Sequence, residues 1–245
     1  MEIEISKHKG LFVTATDTGV GKTLISGAIA KLLSERGKKT GVFKPIATGC
    51  KKTREGLVGE DAEFLTCCVD SEFSLEDINP VTFVEPAAPF ACERIEDKKV
   101  DLEKIITAYN YICSKTDYII IEGIGGIRVP ITDNLDVLGM AKMFDLPVVI
   151  VARPNLGTIN HTLLTIDAVR NAQLPLAGIV ISGYDESRAD FAQQSAPAVI
   201  AEVGRTQILA VVPFDYQSNI EQGVIGDIVL DSLNDVDWLG VIEKK

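Results

Sequence analysis

The sequence predicts an α/β fold with a doubly wound, mostly parallel sheet and helices on both faces. Two observations support this prediction. Short apolar runs that suit buried strands alternate with helical patterns along the chain. Polar and glycine-rich loops follow the ends of these runs, where open parallel sheets bind their ligands. No repeat or linker interrupts the pattern, so residues 1–245 are expected to form one domain.

Six apolar runs have the length and composition of buried parallel strands. They comprise residues 11–13, 40–43, 118–121, 148–152, 176–181 and 208–212. The helical patterns cover residues 24–35, 102–114, 135–143, 159–171 and 189–203. The segment 51–99 is less regular and contains Pro80, Pro86 and Pro89, so we expect it to be an excursion from the core.

The loop after the first run is the most informative part of the chain. Residues 16–23 read Thr-Asp-Thr-Gly-Val-Gly-Lys-Thr and join a predicted strand to a predicted helix. Gly19 and Gly21 let backbone N–H groups approach a phosphate closely, and the following helix adds the positive end of its dipole. Lys22 supplies a cation for the terminal phosphates, and the Thr23 hydroxyl can ligate magnesium.

This loop departs from the common phosphate-binding motif at its first position. The motif Gly-x-x-x-x-Gly-Lys-Ser/Thr begins with glycine, whereas Thr16 stands there in this chain. A glycine-rich turn with a solvated lysine is the alternative, but it leaves the Gly-x-Gly-Lys-Thr order unexplained. The setting between a strand and a helix therefore predicts nucleotide binding and a fold of the P-loop NTPase type.

Two charged residues lie at the ends of other predicted strands. Glu122 follows four apolar residues and precedes a glycine-rich run, so it is a candidate magnesium ligand; a solvated acid in a turn is the alternative. Lys44 ends the second strand and is followed by Pro45, which stiffens the turn. It is a candidate second cation at the transferring phosphate, and an ordinary surface lysine is the alternative.

Two helix starts provide further candidates. Asp61 heads a predicted helix, where a metal ligand and an N-cap explain it equally well. Gly157 and Thr158 open another helix whose first turn contains no acid, so its free N–H groups could bind an anion such as a substrate carboxylate. Capping by Thr158 is the alternative there. His161 has no neighbouring acid and is a weak candidate for a base.

Composition and charge argue against several classes of partner. The net charge is −11 and no tract is rich in Lys or Arg, which argues against nucleic acid or an anionic membrane as the main partner. Five cysteines without a C-x-x-C pair indicate reduced thiols in a cytoplasmic protein. Residues 1–9 lack the apolar core of a signal peptide, and no apolar run approaches the length of a membrane span.

Together these motifs resemble the dethiobiotin synthetase family over most of the chain, from residue 12 to about residue 213. The most specific are residues 16–23, Lys-Pro-Ile-Ala-Thr-Gly at 44–49 and Glu-Gly-Ile-Gly-Gly at 122–126. Supporting motifs lie at 79–80, 85–89, 146–149 and 156–161. The resemblance implies an enzyme of biotin biosynthesis that uses ATP, Mg²⁺ and CO₂ to close the urea ring of dethiobiotin from 7,8-diaminononanoate.

The resemblance also implies roles for individual residues of this chain. The implied catalytic residues are Lys22, Lys44 and Thr18. The implied nucleotide contacts are Gly19, Val20, Gly21, Lys22, Thr23, Leu24, Ser182, Pro213 and Phe214. The implied contacts of the diamine, its carbamate and its carboxylate are Thr18, Lys44, Thr48, Gly157, Thr158 and Asn160. Magnesium would lie among Thr23, Asp61 and Glu122. The family is homodimeric, so residues 157–160 are expected to serve a site across the dimer interface.

Two residues depart from the family pattern. Ala15 stands where the family usually has glycine, and a methyl group is tolerated there if the local φ is negative. Ser182 follows the predicted strand 176–181, where the family commonly has an asparagine that reads the adenine. A hydroxyl cannot present the paired donor and acceptor of an amide. We therefore expect weak base selectivity, with CTP or GTP supporting activity beside ATP.

An ATPase switch of the chromosome-partitioning class is the alternative function. Such switches share the sheet and the loop but carry lysine at the place of Asp17, and this chain has no basic or amphipathic tail for DNA or membrane. A GTP-binding switch is disfavoured because no Asn-Lys-x-Asp motif occurs. An amide-forming ligase of the cobalamin pathway would need a glutamine-hydrolysing domain, for which the chain is too short.

Overall fold

The computed structural model describes residues 4–54, 56–69 and 71–243. Its strands are β1 (Gly10–Ala15), β2 (Thr40–Phe43), β3 (Ile46–Ala47), β4 (Lys51–Thr53), β5 (Gly56–Val58), β6 (Val81–Thr82), β7 (Tyr118–Glu122), β8 (Val148–Ala152), β9 (Leu176–Tyr184) and β10 (Ile208–Pro213). Its helices are α1 (Lys22–Glu35), α2 (Glu60–Cys68), α3 (Leu75–Ile78), α4 (Pro89–Ile95), α5 (Leu102–Cys113), α6 (Val137–Phe144), α7 (Thr158–Asn171), α8 (Phe191–Gly204), α9 (Asp227–Asn234) and α10 (Trp238–Glu243).

Six strands form one parallel sheet in the order β10-β9-β8-β1-β7-β2. The chain places β2 and β7 on one side of β1, then crosses over and places β8, β9 and β10 on the other side. Phe12 of β1 lies opposite Ile121 of β7 and Val148 of β8. This is the predicted doubly wound α/β fold. The direction of winding reverses beside β1, at whose carboxyl end such sheets bind ligands.

The sheet is buried because both of its faces are covered. Every residue of β1, β2 and β8 is buried, and burial of one large aliphatic side chain contributes about 1.5–3 kcal/mol. The rings of Phe43, Tyr109 and Phe144 pack beside the sheet, with the Tyr109 and Phe144 centroids 4.7 Å apart. This packing fixes the strand ends that present the loops of the site.

The segment predicted to leave the core contains several short elements. β4 and β5 form an antiparallel hairpin, while β3 pairs with β6 outside the main sheet. α2 packs against α1. That contact brings the start of α2, with Asp61, to the phosphate loop.

Four strands, β1, β7, β9 and β10, are longer than the sequence predicts, and the extensions of β7 and β9 place two site residues within strands. β7 continues to Glu122 and β9 continues to Tyr184. Glu122 and Ser182 are therefore strand residues, although the sequence predicts them to follow their strands. The backbone can stay extended there because Val13 of β1 pairs with Glu122 and Val212 of β10 pairs with Ser182.

Two helices near the carboxyl terminus were not predicted. α9 and α10 are held by Trp238, which is fully buried and whose Nε1 donates to the Leu233 carbonyl over 2.9 Å. α9 packs against α1 and β10, so this region covers part of the main sheet and its flanking helix. Among the described residues, no helix has both the length and the apolar character needed to cross a membrane.

Candidate active site

The loop between β1 and α1 has the backbone shape of a phosphate-binding site. Gly19 and Gly21 have φ angles of 70° and 96°, which strain any residue with a side chain. Gly21 is the N-cap of α1, whose first turn has no acid and no side-chain cap. The first N–H groups of α1 can therefore bind an anion at the positive end of the helix dipole. Val20 is buried in the loop and Leu24 is half-buried.

Ala15 fits the start of this loop. It is the last residue of β1 and is fully buried. The described non-glycine residues with positive φ are Asp97, Asp145, Gln173 and Arg205. Ala15 therefore has the negative φ that a methyl group at this position requires.

Four predicted site residues meet beneath the loop. Lys44 Nζ lies 2.6 Å from Asp61 Oδ2 and 2.6 Å from Glu122 Oε1. The Thr23 hydroxyl lies 2.9 Å from Asp61 Oδ1 and 2.9 Å from Glu122 Oε1. We call Thr23, Lys44, Asp61 and Glu122 the Lys44 cluster. Its members come from α1, the end of β2, α2 and β7, so the fold assembles the cluster from four separate elements.

The non-functional alternatives considered for Lys44, Glu122 and Asp61, namely a surface lysine, a solvated acid and an N-cap, are wrong. Lys44 is 2% exposed and Glu122 is 1% exposed, so neither is a solvated surface residue. Asp61 is the second residue of α2, whose N-cap is Gly59 without a side-chain cap. Because the Asp61 carboxylate contacts Thr23 and Lys44, it does not cap α2.

The charges in the Lys44 cluster shift one another's pKa. Burial alone would lower the pKa of Lys44, but the Glu122 and Asp61 carboxylates raise it overall, so the ammonium stays charged. Burial raises the pKa of Glu122, against the attraction of Lys44. Burial also acts to raise the pKa of Asp61, but Lys44 and the Thr23 hydroxyl lower it overall. The cluster is therefore one charged lysine shared by two acids.

Lys22 has a different environment from Lys44. It is 7% exposed, and its Nζ lies 3.5 Å from the backbone oxygen of Asp17. Burial, together with the nearby charge of Lys44, lowers the pKa of Lys22 to about 8. A bound phosphate would oppose both effects by supplying a negative charge, so anion binding favours the charged form of Lys22.

The donor atoms of the Lys44 cluster suit magnesium. Thr23, Asp61 and Glu122 present hydroxyl and carboxylate oxygens, which this ion prefers. Glu122 Oε2 is buried without a hydrogen-bond partner, an arrangement that a nearby cation would relieve. No group of three His, Cys, Asp or Glu side chains in the described ranges could hold a metal by itself. A magnesium ion here would therefore take its other ligands from Thr23, phosphates and water.

Asn79 holds the backbone of Lys44, a role that sequence reasoning missed. Its Nδ2 donates to the Lys44 carbonyl over 2.7 Å and to the Val81 carbonyl over 3.3 Å, and the residue is 5% exposed. The dipeptide Asn79-Pro80 was a visible signal in the sequence. Nothing in the sequence showed that it meets the end of β2.

A cleft of about 420 Å³ lies between the phosphate loop, the loop after β7 and α7. Thr18, a predicted substrate residue, lines this cleft together with His161 and Thr165 of α7. Thr48, another predicted substrate residue, is half-buried in the turn after β3 and is not part of the lining. The cleft borders the phosphate loop at Thr16, Asp17 and Thr18, while Lys22 and the Lys44 cluster are not part of its lining.

The start of α7 has the features of an anion site. Gly157 is its N-cap with a φ of 95°, and the first turn contains no acid and no side-chain cap. The Thr158 side chain is buried and lies 3.5 Å from the Thr162 hydroxyl, so the expected alternative of capping by Thr158 is wrong. Gly157, Thr158 and Asn160 do not line the cleft, and the structure does not join them to Thr18 within one chain.

Three predicted nucleotide contacts lie at the same rim as the phosphate loop. A Cβ atom at Gly21 would lie 2.5 Å from Ser182 Oγ, so the glycine leaves room for that hydroxyl. Ser182 is 7% exposed, and its neighbour across the strands is Val212. Pro213 ends β10, and Phe214 follows it with 53% of its surface exposed.

One ion pair at this rim was not predicted. Arg153, which follows β8, donates from Nη2 to Asp17 Oδ2 over 2.7 Å. The polar loop after β8 was the available signal in the sequence. The sequence does not show that β1 and β8 are neighbouring strands, and this pairing brings Arg153 to Asp17 of the phosphate loop.

Known proteins resemble this chain over nearly its whole length. A family model described as an AAA domain matches residues 9–222. A protein named ATP-dependent dethiobiotin synthetase from Thermodesulfovibrio yellowstonii is 34% identical over 232 residues, which are 92% of this chain and 96% of that protein. A protein of the same name from Bacillus subtilis is 37% identical over 226 residues, which are 92% of this chain and 95% of that protein.

Solved structures with low sequence identity share the fold. The septum site-determining protein MinD from Pyrococcus horikoshii, solved with Mg-ADP, has a TM-score of 0.58 at 18% identity, covering 97% of this chain and 99% of that one. A ParA family ATPase from Chlorobium tepidum has a TM-score of 0.55 at 17% identity, covering 94% and 98%. These structures confirm the P-loop NTPase type of fold. The sequence relatives are more specific, and they show that the chain belongs to the ATP-dependent dethiobiotin synthetase family.

Proposed function

We propose that this protein is an ATP- and magnesium-dependent ligase that closes the ring of dethiobiotin from 7,8-diaminononanoate and CO₂. Membership of the family supports the proposal. The structural observation behind it is the Lys44 cluster, in which a buried, charged lysine lies directly beneath a phosphate loop. A second buried lysine near the phosphate loop, in addition to Lys22, suits a reaction in which a carbamate and a triphosphate, both anions, must meet.

The reaction proceeds in three steps. One amine of the diamine adds to CO₂ and loses a proton, which gives a carbamate. A carbamate oxygen attacks the γ-phosphorus and ADP leaves, which gives a mixed carbamic-phosphoric anhydride. The second amine attacks the carbamoyl carbon, the C–N bond forms, the nitrogen loses a proton, and inorganic phosphate leaves as the ring closes. The second step brings the carbamate anion against the triphosphate, so fixed cations are the main requirement of the site.

The residues of the chain divide these tasks between them. Lys22 and the N–H groups from Gly19 to Leu24 hold the phosphates. Lys44 holds the carbamate and the phosphoryl group in transfer, and Thr18 orients the substrate in the cleft. Magnesium, held by Thr23, Asp61 and Glu122, would neutralise the phosphate oxygens when bound. The remaining contacts proposed for the diamine and the base are Thr48, Gly157, Thr158, Asn160, Ser182, Pro213 and Phe214.

We also propose a cytoplasmic homodimer built from one domain of residues 1–245, with neither nucleic acid nor membrane as a partner. Leu156 is 85% exposed just before α7, and Leu164 on α7 is 60% exposed. Phe191, at the start of the neighbouring α8, is 83% exposed. Apolar surface of this kind suits contact with a second subunit. Free, mostly buried cysteines suit a reducing compartment.

The direct test is product formation. Purified protein is mixed with 7,8-diaminononanoate, bicarbonate, Mg²⁺ and ATP, and dethiobiotin is measured by mass spectrometry. We expect product only when all four components are present. The alternative, an ATPase switch of the chromosome-partitioning class, shares the fold. It predicts ATP hydrolysis without the diamine and no cyclic urea, so the same assay separates the two functions.

A further inference from the structure

We infer that Arg153 is a positioning residue, which fixes the substrate side of the phosphate loop through its ion pair with Asp17. The guanidinium donates from Nη2 to Asp17 Oδ2 over 2.7 Å. Arg153 does not line the cleft, whereas Asp17 and Thr18 do. Arg153 therefore acts on the cleft through Asp17. The inference rests on the proposed function, because it gives Arg153 a role in the use of the diamine.

Asp17 contacts two residues of the phosphate loop, Thr18 and Lys22, as well as Arg153. Its Oδ1 accepts a hydrogen bond from the Thr18 N–H over 2.8 Å, while its Oδ2 accepts from Arg153. Its backbone oxygen lies 3.5 Å from Lys22 Nζ. One side-chain rotamer of Asp17 thus serves both Thr18 and Arg153, and Arg153 selects that rotamer. The Thr18 peptide and the Lys22 ammonium are held in place as a result.

The position of the pair explains why it matters for the cleft. Ala15 of β1 pairs with Val151 of β8, so Asp17 and Arg153 both follow the carboxyl ends of neighbouring strands. Arg153 begins the turn that leads into α7, whose His161 lines the cleft opposite the phosphate loop. The ion pair therefore ties the two walls of the cleft together, and its loss should allow them to separate.

The ion pair also neutralises the charge of Asp17 beside the proposed phosphate site. An isolated Asp17 carboxylate would repel phosphates, and the Arg153 guanidinium cancels that charge. The Arg153 and Asp17 side chains are 40% and 56% exposed, so solvent weakens the interaction. We therefore expect a severalfold effect on the reaction and an intact fold.

The test is a double-mutant cycle with Arg153→Ala, Asp17→Asn and both changes together. Asn at position 17 keeps an oxygen for the Thr18 N–H but removes the charge. Arg153→Ala should lower kcat/KM for the diamine about fivefold, equivalent to about 1 kcal/mol, and change the Kd of a non-hydrolysable ATP analogue less than about twofold. Arg153→Lys should recover part of the loss. In the Asp17→Asn background, Arg153→Ala should have no further effect.

A second measurement needs neither substrate nor activity. Amide hydrogen exchange over residues 16–19 should be faster in Arg153→Ala than in the wild type, at an unchanged Tm. Arg94→Ala is the matched control, since Arg94 forms an exposed ion pair with Asp133 over 3.5 Å. It should change neither kinetics nor exchange.

Two results would overturn the inference. One is wild-type kinetics together with wild-type exchange in Arg153→Ala. The other is an equal loss from Arg153→Ala in both backgrounds at position 17, because Arg153 would then act without Asp17. If the wild type makes no dethiobiotin, the proposed function fails, and hydrogen exchange alone still decides whether Arg153 fixes the loop.

Discussion

At the residue scale, the site is defined by two buried lysines whose pKa values are shifted in opposite directions. Lys44 contacts two carboxylates, which raise its pKa, whereas burial and the charge of Lys44 lower the pKa of Lys22 to about 8. The two carboxylates thus balance the charge of Lys44 before any ligand binds, whereas the charge of Lys22 stays largely unbalanced. The difference suggests separate tasks, because an uncompensated cation gains most from a triphosphate.

The first prediction follows from the pKa of Lys22. Phosphates favour its charged form, so its pKa rises on binding, and binding above pH 8 takes up a proton. The affinity for ADP should therefore fall as the pH rises through 8, approaching about tenfold per pH unit. Calorimetry between pH 7 and 9.5 checks this. Lys22→Arg should flatten the profile because the guanidinium stays charged. A flat wild-type profile would contradict the assignment.

The second prediction separates the two lysines. Lys22→Ala should weaken nucleotide binding and lower turnover by well over tenfold, since a lost charge contact in the transition state is typically worth several kcal/mol. Lys44→Ala should keep nucleotide binding but abolish ring closure. Calorimetry and the dethiobiotin assay measure the two effects. Lys104→Ala, which removes an ion pair with Glu76 elsewhere, is the control. Equal loss of nucleotide binding in both variants would show that Lys44 serves the nucleotide.

The third prediction concerns the base. Ser182 lies against Gly21 and offers a single hydroxyl, while an adenine-reading pair of hydrogen bonds is worth about 1–3 kcal/mol. We expect appreciable turnover with CTP or GTP at equal subsaturating concentration, and Ser182→Asn should increase the preference for ATP. Ser182→Ala should change little. An ATP preference above roughly a hundredfold, near 2.7 kcal/mol, would mean that groups around Pro213 and Phe214 read adenine unaided.

At the element scale, the sequence predicted the strands of the main sheet and missed what packs around their ends. Parallel strands are recognisable because burial on both faces demands continuous apolar runs. The short elements of segment 51–99 lack such a pattern, since each depends on tertiary contacts. Asp61 illustrates this: its sequence position fits an N-cap equally well, and only the packing of α2 on α1 brings it to Thr23. The role of Asn79 was missed for the same reason.

The fourth prediction tests the convergence of β7 and α2 at the proposed metal. Glu122→Gln preserves the size of the side chain but removes its charge. It should raise the Mg²⁺ concentration required for half-maximal activity, and Asp61→Asn should do the same. Glu93→Gln is a matched control, because Glu93 is also buried but accepts from the Val100 N–H, outside the Lys44 cluster. If the Mg²⁺ titration of Glu122→Gln is unchanged, Glu122 does not bind the metal and only forms an ion pair with Lys44.

At the scale of the whole molecule, the proposed homodimer would explain why the start of α7 lies outside the cleft of its own chain. His161 lines the cleft of its own chain, but Gly157, Thr158 and Asn160 do not. Leu156, immediately before them, is 85% exposed. An exposed apolar residue beside a free helix N-terminus suits contact with a second subunit. The N-terminus of α7 would then bind the carboxylate of a substrate held in the site of that second subunit.

The fifth prediction is that two inactive variants restore activity when their subunits exchange. Lys22→Ala disables the phosphate loop, and Asn160→Asp places a repelling charge at the start of α7. If the site joins the loop of one subunit to α7 of the other, each mixed dimer has one intact site. Random exchange of equal amounts should then restore about a quarter of wild-type activity. Mixing Lys22→Ala with Lys44→Ala should restore no activity, since both substitutions lie in the half of the site that contains the phosphate loop. A stable dimer without recovery in the first mixture would place the whole site within one chain.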